Sequence, residues 1–104
     1  MNNFTYKDVI YRLGYFRNKN NLSMRDTSYK LDLNEKHISR VESGDIELKV
    51  STLLDFMNLV DITPQEFFYP NPEDYKKDKE LFDIIQSLSK ENKQTLLDLA
   101  KKLK

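Results

Sequence analysis

Apolar residues along this chain recur at intervals of three and four, and the strict alternation of a half-buried strand is nearly absent. The first run is Val9, Ile10, Leu13 and Phe16. It follows Thr5-Tyr6-Lys7-Asp8, where Thr5 and Asp8 have the spacing of a capping box, so a first helix is expected with those four residues as its buried stripe. Asn18-Lys19-Asn20-Asn21 is a polar break. Ser23-Met24-Arg25-Asp26 is a second capping-box pattern and predicts a short helix to about Leu31. Asp32-Leu33-Asn34 then reads as a tight connection, with Asn34 capping a third helix over residues 35–43 that Gly44 ends in a left-handed conformation. Leu33 and Ile38 are spaced as a hydrophobic staple across that cap. The third helix has one apolar edge, Ile38 and Val41, while Glu35, Lys36, Ser39, Arg40 and Ser43 make its other side polar.

A looser segment over 45–49 leads to a fourth helix over 50–60, made strongly apolar by Leu53, Leu54, Phe56, Met57 and Val60. Thr63-Pro64-Gln65-Glu66 combines a capping box with proline at the first helical position, so a short fifth helix carries Phe67 and Phe68. Pro70-Asn71-Pro72 stops it and marks a domain boundary. The remainder reads as a helical hairpin. Leu81, Ile84, Ile85 and Leu88 form one stripe, and Ser89 caps a last helix striped by Leu96, Leu97, Ala100 and Leu103. These helices are too short to be stable alone in water, so they must pack on something.

Composition narrows the function. There are 104 residues, one domain with a short appendage, and no cysteine, which suits a reducing compartment and removes thiolate metal sites and thiol nucleophiles. The start of the chain lacks the pattern of a secretion signal, and no apolar run is long enough to cross a bilayer, so the expectation is a soluble, cytoplasmic protein. Seventeen basic residues balance seventeen acidic ones. Residues 1–70 hold nine Lys/Arg against ten Asp/Glu, and residues 71–104 hold eight against seven. No basic stripe appears in bulk composition, so any phosphate-binding surface must come from a few placed cations. One histidine and no paired carboxylates in an apolar setting leave nothing to build an active site with; no enzyme and no cofactor are expected. His37 has no partner at ligand spacing, so no metal site is expected either.

Two short helices joined by a three-residue turn, the second polar on its outer side, have the outline of a helix-turn-helix over about 23–43. A single helix fits the major groove only if it is held at a fixed angle with its outer face free. The residues Arg17, Leu22-Ser23, Lys30-Leu31, Ile38 to Gly44, Thr52-Leu53-Leu54 and Ile62 to Phe68 resemble, in order, the Cro/phage-repressor (Xre-type) helix-turn-helix family. The resemblance spans about sixty residues.

It implies an all-α fold, with a five-helix, lambda-repressor-like DNA-binding domain over 5–70 and a two-helix extension over 71–104. It also implies a prokaryotic or phage origin and a transcriptional regulator, more often a repressor, binding a double-stranded operator as a homodimer. In such domains the third helix lies in the major groove, which here turns Glu35, Lys36, Ser39 and Arg40 to the bases. Arg40 is expected on guanine, Lys36 on guanine or a phosphate, and Glu35 either on a cytosine amino group or simply favouring the helix N-terminus. Ser23, Arg25 and Asn34 are placed for backbone phosphates, with Lys49 as a further contact and His37 as either a phosphate contact or a partly packed side chain. Arg17 and Glu42 match a structural ion pair and read as scaffold.

The chain departs from the family at three places. Met24 replaces a phosphate-anchoring Gln, Asp32 stands where the turn commonly has Gly, and the loop at 44–49 carries Asp45 and Glu47 with Lys49 as its only cation. Weak monomer binding and dependence on dimerisation are expected in consequence. The alternative function is an antitoxin-like or adaptor module that binds a protein partner and DNA only weakly. The C-terminal helices could serve dimerisation or docking, and both readings stand at this point.

Overall fold

The structure, a computed structural model, describes residues 4–104. The described residues are all-helical, with no strand. They form two compact units, Met1–Pro70 and Asn71–Lys104.

In the first unit, α1 spans Tyr6–Lys19, α2 Met24–Lys30, α3 His37–Ser43, α4 Val50–Leu59 and α5 Pro64–Phe67. The expected capping residues set most of the starts, and Thr5 and Asp8 close the full box. The Thr5 amide donates to Asp8 Oδ2 at 2.8 Å, and the Asp8 amide donates to Thr5 Oγ1 at 3.3 Å. Ser23 Oγ accepts from the Asp26 amide, and Thr63 Oγ1 from the Glu66 amide, with Pro64 in the first turn of α5. The bond from the Thr5 amide, joined by that from its hydroxyl, holds the Asp8 carboxyl below its ordinary pKa. A depressed carboxylate contributes stability above the pKa of the unfolded chain and loses it as pH falls through the lowered one. Thermal melts of Asp8→Asn should therefore approach those of the wild type below the ordinary aspartate range, and fall short of them above it.

Four helices stop in the same way. The Leu22 amide donates to Arg17 O and the Asn21 amide to Asn18 O; Leu33 and Asp32 repeat this on Ser28 and Tyr29, Asp45 and Gly44 on Arg40 and Val41, and Ile62 and Asp61 on Met57 and Asn58. Each is a Schellman motif, which needs a left-handed residue after the helix. Gly44 takes φ 90° at no steric cost, but Asn21, Asp32 and Asp61 take φ 56°, 59° and 56° with side chains. Asp32→Ala should destabilise by about 1 kcal/mol and Asp32→Gly should not, an ordering readable from urea midpoints.

Leu13, Phe16, Val41, Leu53, Phe56, Met57, Val60 and Phe67 form the core of this unit. Phe16 stacks on Phe67 with centroids 5.7 Å apart. Val9 and Ile10, expected in the buried stripe of α1, are only partly buried against that core. Leu54 is exposed on α4, and Phe68, expected within the fifth helix, is the exposed residue that follows it. Arg12, unmarked by any pattern, donates to Phe67 O at 2.7 Å, to Tyr69 O and to Pro70 O at 2.9 Å, closing the carbonyl end of α5 onto α1. Its guanidinium also lies over the Phe4 ring, 5.0 Å from the centroid.

In the second unit a 3-10 turn over Pro72–Asp74 leads into α6, Tyr75–Ser87, and then α7, Lys90–Lys102. Ser89 caps α7 as expected, its Oγ accepting from the Asn92 amide. The expected stripes exist as patterns but are only partly covered: Ile85, Leu88 and Leu96 are half-buried, α7 has no fully buried residue, and α6 has only Tyr75. Among the described residues no helix is long and apolar enough to cross a membrane.

Candidate nucleic-acid interface

Helix α3 starts two residues later than its sequence suggests. The Asn34 side chain does cap, but it caps a turn: Oδ1 accepts from the Lys36 amide at 3.0 Å, and the His37 amide donates to Asn34 O at 2.9 Å. Lys36 is the residue at the helix boundary and makes no side-chain cap. The staple spacing of Leu33 and Ile38, counted from Asn34 as cap, is displaced by the same two residues. Ile38 and Val41 are fully buried, which fixes the inner edge of α3 as expected. Helical geometry then turns Lys36, Arg40 and Ser43 outward, and all three are exposed, while Ser39 is half-buried.

What holds α3 against α2 is a contact that no sequence motif announces. Thr27 and Ser28 are completely buried on α2. Ser28 Oγ accepts from the Ile38 amide at 3.0 Å and donates to Met24 O at 3.0 Å. The Ile38 amide lies in the first turn of α3, where it has no partner within the helix. A hydroxyl of α2 thus satisfies an amide of α3 inside the protein, and that ties the angle between the two helices to one short side chain. Thr27 Oγ1 donates to Ser23 O and tightens α2 itself. The only sequence signal was two small polar residues at the positions of α2 that must face inward. Ser28→Ala should cost about 1–3 kcal/mol by orphaning a buried amide. Faster hydrogen exchange in α3 than in α1 would show that the loss is local.

On the other side, Arg17 and Glu42 join α1 to α3. Arg17 Nε donates to Glu42 Oε2 at 2.8 Å and Nη2 donates to Oε1 at 3.1 Å. Arg17 Nη1 also donates to Leu22 O and Asn18 Oδ1. The side chains are only 9% and 14% exposed, so the pair is structural, as the resemblance implies. Gly14 makes room for it: a Cβ there would lie 3.2 Å from Glu42 Oε1.

The expected site residues do not all meet. Arg25 and Glu35, for which the sequence suggests separate partners, pair with each other across α2 and the turn, at 3.2 Å with 79% and 57% exposure. So exposed a pair contributes little to stability, and both groups remain open to exchange partners. Lys36 and Arg40 enter no side-chain hydrogen bond or ion pair among the described residues. Ser23 stands at the start of α2 beside Arg25. Ser39 donates to Lys36 O, which occupies its hydroxyl proton within the chain. His37 is half-buried. Lys49 stands apart at the start of α4, beyond the exposed Asp45 and Glu47. Tyr29, 83% exposed on α2 one helical turn after Arg25, was not among the expected residues and shares the Arg25 side of that helix.

The result is a surface on which Arg40 of α3 and Lys36 just before it present two cations with no side-chain partner among the described residues, flanked by an exchangeable arginine. Such a surface can donate charge-assisted hydrogen bonds to an anionic or base-edge acceptor. No family model, no curated protein and no solved structure matches the chain.

Proposed function

We propose that this protein is a sequence-specific double-stranded DNA-binding regulator of transcription, acting as a repressor. In this reading residues 5–70 are a Cro/phage-repressor (Xre-type) domain of lambda-repressor-like, five-helix arrangement, and residues 71–104 are its two-helix extension. Helix α3 enters the major groove of each half-site. Arg40 donates two hydrogen bonds to a guanine, Lys36 reaches guanine or phosphate, and Ser23, Arg25 and Asn34 hold the backbone. A homodimer would span two half-sites about one helical turn apart. The observation that carries the reading is the buried Ser28–Ile38 bond, which aims a short helix whose outer cations Lys36 and Arg40 are exposed and unpaired.

Glu35 has a second task here. By pairing with Arg25 it masks one cation until a phosphate competes for it. The exposed Asp45 and Glu47 beside α3 favour one rival reading, an antitoxin-like or adaptor domain that meets a basic protein partner. Selection from a random duplex pool at moderate salt separates the two. Enrichment of a symmetric motif supports the regulator, and no enrichment alongside capture of a basic protein supports the adaptor.

A further inference from the structure

We propose that the cleft between α1 and the end of α3 binds a small planar nitrogen heterocycle with an exocyclic amino group, the chemistry of an adenine nucleoside or its phosphate. The site lies wholly within the first unit. It requires neither DNA nor a second copy of the chain, so it stands or falls apart from the function proposed above.

The cleft has a volume of about 580 Å³, which falls within the range of small-molecule sites. It exists because of Gly14. That residue lies inside α1, where glycine costs about 1 kcal/mol relative to alanine, and its backbone is not among the left-handed ones that would call for glycine. Ile10 and Gly14 are one helical turn apart and line the same row of α1. Tyr11, Tyr15 and Lys19 follow one another at intervals of four along the neighbouring row and form the second wall. Tyr11 is 73% exposed, a large aromatic surface left open beside the cleft.

The polar groups set what can lie between those walls. Glu42 lines the cleft with its carboxylate, and Oε1 lies 3.2 Å from where a Cβ on Gly14 would stand. Each of its oxygens accepts one N–H from Arg17, and a carboxylate oxygen has two lone pairs, so each can accept once more. Arg17 already neutralises the carboxylate, so this end of the cleft draws hydrogen-bond donors rather than ions. Asn18 lines it as well; its Oδ1 accepts from Arg17, which leaves the amide nitrogen as the group that donates. An acceptor beside a donor, between aliphatic and aromatic walls, matches a flat ring that presents an amino group beside a ring nitrogen. Adenine has that edge, and its face stacks on tyrosine. Lys19, exposed and 5.8 Å from the Tyr15 ring centroid, stands where a phosphate on the ligand would meet a cation.

Titration of the isotope-labelled full chain with adenosine, adenosine monophosphate and indole tests the site. Adenosine should shift the backbone amides of 10–19 and 41–43. Indole, which has one donor and no ring acceptor, should bind at least about tenfold more weakly. Tyr11→Ala, an exposed position whose loss leaves the fold intact, should weaken adenosine about tenfold, the loss of one base–aromatic stack. The monophosphate separates the two forms of the ligand. Tighter binding than adenosine at low salt, lost in Lys19→Ala, assigns the nucleotide, and equal binding assigns the nucleoside. The proposal is overturned if neither adenine probe shifts these two segments, if indole binds as well as adenosine, or if Tyr11→Ala changes nothing. Shifts from the monophosphate alone, confined to Arg25, Lys36 and Arg40, would place its phosphate on the surface cations and overturn it too.

Discussion

Glu42→Leu is expected to cost about 3–5 kcal/mol, the penalty for leaving a buried charge without its partner. A chain this small has little more stability than that to lose. The loss should be large because the Arg17 guanidinium stays in place, nearly covered, keeping only its bonds to Leu22 O and Asn18 Oδ1. The double variant Arg17→Met/Glu42→Leu removes both charges and should recover most of the deficit, ending within about 1–2 kcal/mol of wild type. Urea unfolding of all four chains gives the coupling energy directly. Additive losses would mean that the two groups do not act as a pair. The variant also bears on function, because this pair joins α1 to the helix that presents Lys36 and Arg40.

The second large effect concerns recognition. On the proposed reading Arg40→Ala should erase preference at one base position of each half-site, roughly 1–3 kcal/mol of discrimination, while leaving stability within about 0.5 kcal/mol because the side chain is exposed and unpaired. Lys36→Ala differs according to its partner. Loss at one base position places it on guanine; a uniform loss with a shallower salt dependence places it on phosphate. An Arg40→Ala chain that selects the same motif as the wild type would remove the assignment.

Helices with a polar start and an apolar stripe were legible because capping is local chemistry. Thr5, Ser23, Thr63 and Ser89 each bond an amide three residues on, so four starts could be read from the residue types alone. Asn34 misled for a related reason. Its side chain caps whatever turn follows, and here that is a single turn before the helix, so α3 begins at His37. The ends of α1 and α4 were legible, but the left-handed conformations of Asn21 and Asp61 were hard to see because Asn or Asp carries no signal as strong as glycine's, although Asp32 was readable as tolerant of that conformation. Periodicity told which side chains share a face but not what covers the face. Leu54 and the outer residues of α6 and α7 were therefore readable as apolar, but their exposure was not.

For the candidate site, the outward polar side of α3 was legible from the burial demanded by Ile38 and Val41. The Ser28 tether and the Arg25–Glu35 pair were not, because each depends on the angle between two helices. Arg12 escaped for the same reason: its acceptors lie more than fifty residues away along the chain.

On the proposed function the outward side of α3 meets the DNA. Titrating a mixed-sequence duplex into isotope-labelled protein at low salt, and following the backbone amide resonances, tests it and needs no defined operator. Shifts should concentrate at the start of α2 and from Asn34 to Ser43, and should fade steeply as salt is added. Shifts confined to residues 71–104, or none at any salt concentration, would contradict it.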